Sequence, residues 1–213
     1  MSLIAHHASF GDLKVYDLKK TIGFQRIRQH VKRVSNELCI DRNCPGDRHV
    51  LWVHANKQNE KHVYTVLDSG YIAESKANYK RIQASNEPIR ACMTPFLDMF
   101  IQETNSKPGI DLLIQYHRIY APPVNSFVWR NKFSQHGFNH FAIMCTDRDN
   151  THGGVSQFTT GSNLVSVDLV PGRMLIFNDL DVLHKTSGIY RLDKTIFGYM
   201  DFVTVSSDMD PWR

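Results

Sequence analysis

The chain has 213 residues, a hydrophobic fraction of 42% and a net charge of +4, the size and texture of one globular domain with its own core. No run approaches the roughly 20 apolar residues of a membrane-crossing helix. No charged leader with an apolar stretch behind it is seen, so no secretory signal is expected and the cytoplasm is the expected compartment. The four cysteines, Cys39, Cys44, Cys92 and Cys145, lack the paired spacing of a zinc site and read as free thiols. Basic residues gather at Lys19, Lys20, Arg26, Arg28, Lys32 and Arg33. A solvated helix face accounts for them better than nucleic-acid binding does.

Residues 1–15 show no strong period and read as an arm or outer strand. Leu18, Ile22, Ile27, Val31, Val34 and Leu38 then recur at helical spacing, with Asp17 as the expected N-cap. Asp41 to Asp47, with Pro45-Gly46, reads as a loop. His49 to His54 and Val63 to Leu67 read as strands, and the polar stretch from Glu74 to Glu87 is left unassigned. Thr94-Pro95 opens a second helix that buries Phe96, Leu97, Phe100 and Ile101 and ends over Asn105 to Gly109.

Beyond Gly109 the texture changes to short strands. They are expected at Leu112 to Tyr120, stopped by Pro122-Pro123, and at Phe141 to Cys145, ended by Asp147 to Asn150. Val155 to Thr159, Leu164 to Val170, Met174 to Phe177 and Thr195 to Val205 follow. This series predicts an α+β, mainly β fold, a jelly roll braced on one face by N-terminal helices. One domain over 1–213 is expected, with bracing elements over about 1–108 and the jelly-roll core over about 109–205.

Two histidines stand out by position. His136 lies just before a strand, and His184 lies behind the turn Asn178-Asp179-Leu180-Asp181. Non-haem iron sites use two histidines and one carboxylate on one face of the metal and leave the other positions open.

From Gln115 to Phe202 the sequence resembles the bacterial 2-oxoglutarate/Fe(II) dioxygenases that hydroxylate free amino acids, the isoleucine hydroxylase group. The resemblance is carried by Gln115-Tyr116-His117-Arg118-Ile119, by the Gln135-His136-Gly137 turn, and by Asp149 through Gln157. Leu169 through Phe177, Asp179 through His184 and Asp201-Phe202 continue it. It implies a double-stranded β-helix (jelly roll, cupin-like) that binds Fe(II) and 2-oxoglutarate and uses O₂ to hydroxylate a small, amino-acid-like substrate.

In that family a His-x-Asp pair and a distal histidine hold the metal. His184 matches the distal position, whereas Ser134 stands where the first histidine belongs and His136 where the aspartate belongs. The expected ligands are therefore His136 and His184, with His140 or water completing the site. A three-histidine centre and a site lost altogether are the alternatives.

For the distal carboxylate of 2-oxoglutarate, Arg191 and Lys194 both lie in the matching window. Arg118 is expected to meet a substrate carboxylate. The rival to an oxygenase is a non-catalytic small-molecule-binding protein on the same fold. A homo-oligomer is left open.

Overall fold

A computed structural model describes residues 1–37, 48–73, 78–83, 85–87, 89–121 and 132–207. The Asp41 to Asp47 loop, Cys39, Cys44, Leu38 and the Pro122-Pro123 stop lie outside the described residues.

Two sheets face each other. The larger has nine strands in the order β1-β2-β11-β7-β14-β6-β3-β4-β5. In chain order these are β1 (Ser2–His7), β2 (Leu13–Asp17), β3 (Arg48–Gln58), β4 (Lys61–Ala73), β5 (Asn78–Arg81), β6 (Ile110–Ala121), β7 (Phe141–Asp149), β11 (Arg173–Phe177) and β14 (Gly198–Ser207). The smaller has the order β10-β9-β12, from β9 (Val155–Thr159), β10 (Leu164–Asp168) and β12 (Leu183–Thr186). A pair formed by β8 (Thr151–Gly153) and β13 (Ile189–Arg191) adjoins them. The architecture is the mainly β jelly roll expected from the run of short strands. Among the described residues no helix is long and apolar enough to cross a membrane.

The large sheet is buried on both faces, and residues two apart share a face. Leu51 and Val53 of β3, Leu112, Ile114 and Tyr116 of β6, and Val203 and Val205 of β14 pack toward the helices. There they meet Phe24, Ile27 and Val31 of α1 (Ile22–Glu37), and Phe96, Leu97 and Phe100 of α2 (Thr94–Thr104). The intervening residues face the smaller sheet, where Phe141, Phe158, Phe177 and Phe202 form a second core.

The helix ends differ in part from expectation. Thr21, not Asp17, caps α1: its Oγ1 accepts the Phe24 N–H at 3.1 Å. Asp17 instead ends β2, and its carboxylate accepts the Lys19 N–H. Helix α2 begins at Thr94-Pro95 as the proline rule requires, and a π-helical turn over Ile89–Met93 leads into it. Asn105 closes α2 in the left-handed conformation at φ 51°, where a short polar side chain is tolerated.

Burial under α1 creates an acid-sensitive spot. His30 of α1 and His49 of β3 are 8% and 9% exposed. His30 meets the Tyr116 ring edge-on and His49 stacks on it. Burial, aided at His30 by the charges of Arg33 and His49, lowers both imidazoles to about 4. The unfolded chain takes up these protons near pH 6.5 and the folded chain only near 4. Stability is therefore full above about pH 6.5 and falls as pH drops toward 4, by up to roughly 3 kcal/mol per histidine. Melting temperatures across that window should fall steeply, and His49→Gln should flatten the slope. An unchanged slope would place the acid sensitivity elsewhere.

Candidate metal centre

The segment Ser134 to Phe138 and strand β12 meet at one end of the barrel. Ser134 and His184 exchange backbone hydrogen bonds, N–H to O at 3.0 and 3.1 Å, as an antiparallel bridge. That register brings the rings of His136 and His184 to 4.8 Å between centroids.

The third member comes from the turn before β12. Asp179 is fully buried. Its Oδ2 accepts the backbone N–H of His136 at 2.6 Å and that of Phe138 at 3.3 Å. Its Oδ1 lies 3.5 Å from His136 Nδ1 and 3.3 Å from His184 Nδ1. The turn itself is pinned from three sides. Asn178 Oδ1 accepts the Leu180 N–H, Asn178 N–H donates to the Gly11 carbonyl, and Gln135 Nε2 donates to the Leu180 carbonyl at 2.7 Å.

His136, Asp179 and His184 each offer a ligand atom within 4.8 Å of the others. Ligands about 2.1 Å from a metal and at right angles to one another stand about 3 Å apart, close to the separations seen here. Asp179 Oδ1 and His136 Nδ1 are buried with no hydrogen bond of their own, the condition that a cation would relieve. Burial alone would push the Asp179 carboxyl up. The close approach of the His136 and His184 imidazoles, with the hydrogen bond from the His136 amide, holds it well below the usual carboxylate range instead. The donor set is two imidazoles and one carboxylate, which suits Fe(II) with open coordination positions.

The third member of the cluster is a different residue from the one expected. His140 is absent from the cluster and lines a separate hollow beside α2 with Asn139 and Asn178. The carboxylate in the cluster is that of Asp179, 43 residues after His136. In sequence it reads as one polar residue of a turn. Its signal was a buried carboxylate five positions before the distal histidine, and burial is not visible in a polar turn.

A cavity of about 390 Å³ runs from this cluster into the barrel. Phe138, Phe141, Phe158, Phe177 and Trp52 line it, with Gln115, Ser156, Thr186 and Thr204 as polar members and Arg48 and His117 farther along. His136 stacks on Phe138 and Phe141, and His184 meets Phe177 edge-on at 5.0 Å. These rings pack against the imidazoles and fix their planes.

The three expected carboxylate partners lie elsewhere. Arg118 points to the helix face of β6, where its Nε and Nη2 donate to Asp201 at 2.6 and 2.7 Å. Its guanidinium lies 4.4 Å from the Tyr199 ring centre. Arg191 donates from Nε to the Ala121 carbonyl at 2.8 Å and lies over the Phe197 ring. Lys194 is exposed on the same loop. None of the three lines the cavity. The physical reason at Arg118 is parity: residues 113, 115, 117 and 119 of β6 face the cavity, so 118 cannot.

Comparison with known proteins identifies a family and a fold. The 2OG-Fe dioxygenase family model matches residues 78–206. No curated protein sequence matches the chain. Among solved structures, the fold is similar to that of IDO from Bacillus thuringiensis, at 11% identity over 99% of each chain with a TM-score of 0.69. It is also similar to the Fe(II)/(alpha)ketoglutarate-dependent dioxygenase TqaL, at 13% identity over 94% of this chain and 83% of that one, TM-score 0.62. A Pseudomonas putida prolyl-4-hydroxylase shares the fold at 11% identity over 94% of each chain, TM-score 0.50.

Proposed function

Because the chain belongs to the 2OG-Fe dioxygenase family, with the Fe(II) and 2-oxoglutarate dependence that membership implies, we propose that it is an oxygenase that hydroxylates a small molecule. The observation that carries this reading is the convergence of His136, Asp179 and His184 beside an apolar cavity. Iron and 2-oxoglutarate, when bound, couple loss of CO₂ from the cosubstrate to transfer of one oxygen atom of O₂ into a substrate C–H bond, and the other oxygen leaves in succinate.

The protein's part is to hold and shield. Asp179 would contribute a negative charge to a bound divalent ion through one oxygen, while two backbone amides fix its other oxygen. A ligand held in this way keeps its orientation through turnover. Phe138, Phe141 and Phe177 wall the imidazoles with apolar surface and orient them. The cavity walls favour a small and largely apolar substrate. An amino acid with an apolar side chain is the form of that class suggested by the resemblance over Gln115 to Phe202.

The test is anaerobic addition of Fe(II) and then 2-oxoglutarate to metal-free protein, followed by air and a panel of apolar amino acids. A weak visible charge-transfer band and substrate-dependent succinate release are expected. A band without succinate release for any amino acid would remove the amino-acid substrate. No band and no iron uptake would leave the non-catalytic binding protein.

A further inference from the structure

The cavity beside the metal cluster is uneven in charge. Arg48 at the start of β3 and His117 of β6 both line it and are cross-strand partners. Among the described residues no aspartate or glutamate lines it. His117 is 5% exposed and stacks on Phe202, with 4.6 Å between ring centroids. The wall that carries Arg48 is completed by Val50 and Trp52 of β3 and Ile72 of β4. Both strands precede residues 78–206, the stretch shared with the family, whereas His136, Asp179 and His184 lie inside it. A shared fold serves different ligands through what is built around it.

Distances along the sheet separate this wall from the metal cluster. Phe141, Ser206, Leu113 and Trp52 pair in one row across β7, β14, β6 and β3. Phe141 stacks against His136, so three strand spacings, about 14 Å, lie between the metal side of the sheet and β3. Arg48 stands four residues before Trp52, about 13 Å farther along β3. Leu113, Gln115 and Val50 floor the space between.

Resting on the oxygenase reading above, we propose that the substrate is a carboxylic acid whose amine is acylated or absent, held with its carboxylate at Arg48 and its apolar end toward the metal cluster. A carboxylate entering this cavity loses water, and a guanidinium offsets that loss with directed donors. A free ammonium is desolvated too, meets no carboxylate among the described wall residues, and is repelled by Arg48. The carbon presented to the metal is then several bonds from the carboxylate.

The experiment compares probes that share one carbon chain. Protein loaded anaerobically with Mn(II) and 2-oxoglutarate is titrated by calorimetry with 4-methylpentanoate, N-acetyl-leucine, leucine and 4-methylpentanamide. Wild type should bind the first two. Leucine should bind at least about tenfold more weakly because of its unpaired ammonium. The uncharged amide should bind about 30-fold more weakly, the scale of a lost charge-assisted hydrogen bond. Arg48→Gln should bind acid and amide alike and keep its affinities for Mn(II) and 2-oxoglutarate. Arg48→Lys should recover part of the preference for the acid.

Leucine that binds as tightly as 4-methylpentanoate would overturn the substrate class. So would an amide that equals the acid in wild type, or no binding by any of the four. A loss of 2-oxoglutarate affinity in Arg48→Gln would overturn the placement of the substrate carboxylate. Wild type that takes up neither Mn(II) nor 2-oxoglutarate would overturn the oxygenase reading itself, a result distinct from the others.

Discussion

Asp179→Ala is expected to weaken Fe(II) binding by more than about 100-fold, beyond the 10- to 100-fold that loss of a supporting partner costs. The side chain has two duties that the substitution removes together. Oδ1 faces both imidazoles, and Oδ2 holds the His136 and Phe138 amides. Asp179→Asn separates them. An asparagine can keep the amide contacts through its carbonyl oxygen, but it brings no charge to the metal. Iron analysis and circular dichroism on both variants check the prediction. Asn should lose iron and keep its melting temperature, whereas Ala should lose iron and some stability. Full iron occupancy in either variant would show that the carboxylate is not a ligand.

Arg118→Ala is expected to cost about 3–5 kcal/mol of stability, because it strands a buried carboxylate. Asp201 is fully buried, and Arg118 supplies two of its hydrogen bonds from a position that is itself 5% exposed. Burial raises the Asp201 carboxyl, and the guanidinium pulls it back down. Without that guanidinium the carboxyl must take up a proton or stay charged without a counterion. Domains have a net stability of about 5–15 kcal/mol, so this one change removes a large share. Chemical denaturation is the measurement. The double variant Arg118→Met with Asp201→Leu, which removes both charges, should recover most of the loss. A small effect from Arg118→Ala alone would mean that water reaches Asp201.

Much of the scaffold was legible in the residues. Val155 to Thr159 is a strand with the expected ends, and Thr94-Pro95 starts α2. These segments carry strong local signals, β-branched alternation in one and a first-turn proline in the other. His136 and His184 were legible as a pair because a turn and a strand edge frame each.

Arg118 was misplaced for an instructive reason. Strand β6 is apolar on both faces, with Leu112, Ile114 and Tyr116 on one and Leu113 and Ile119 on the other. Alternation therefore revealed a strand but not which parity faces the cavity. Asp179 was missed because a carboxylate aimed inward from a turn has the same sequence signature as one aimed at water.

The bridge between Ser134 and His184 has a thermodynamic consequence. A metal that gathers ligands from an open chain must close the loop between them, and the entropy lost grows with loop length. Here His136 and His184 are separated by 48 positions, yet the backbone hydrogen bonds of the bridge and the Asp179 carboxylate that accepts the His136 N–H already close that loop. Iron then binds a preformed cradle, and its affinity is not reduced by ordering the chain. The fold gains stability from iron by mass action alone, in proportion to the logarithm of free metal over the dissociation constant.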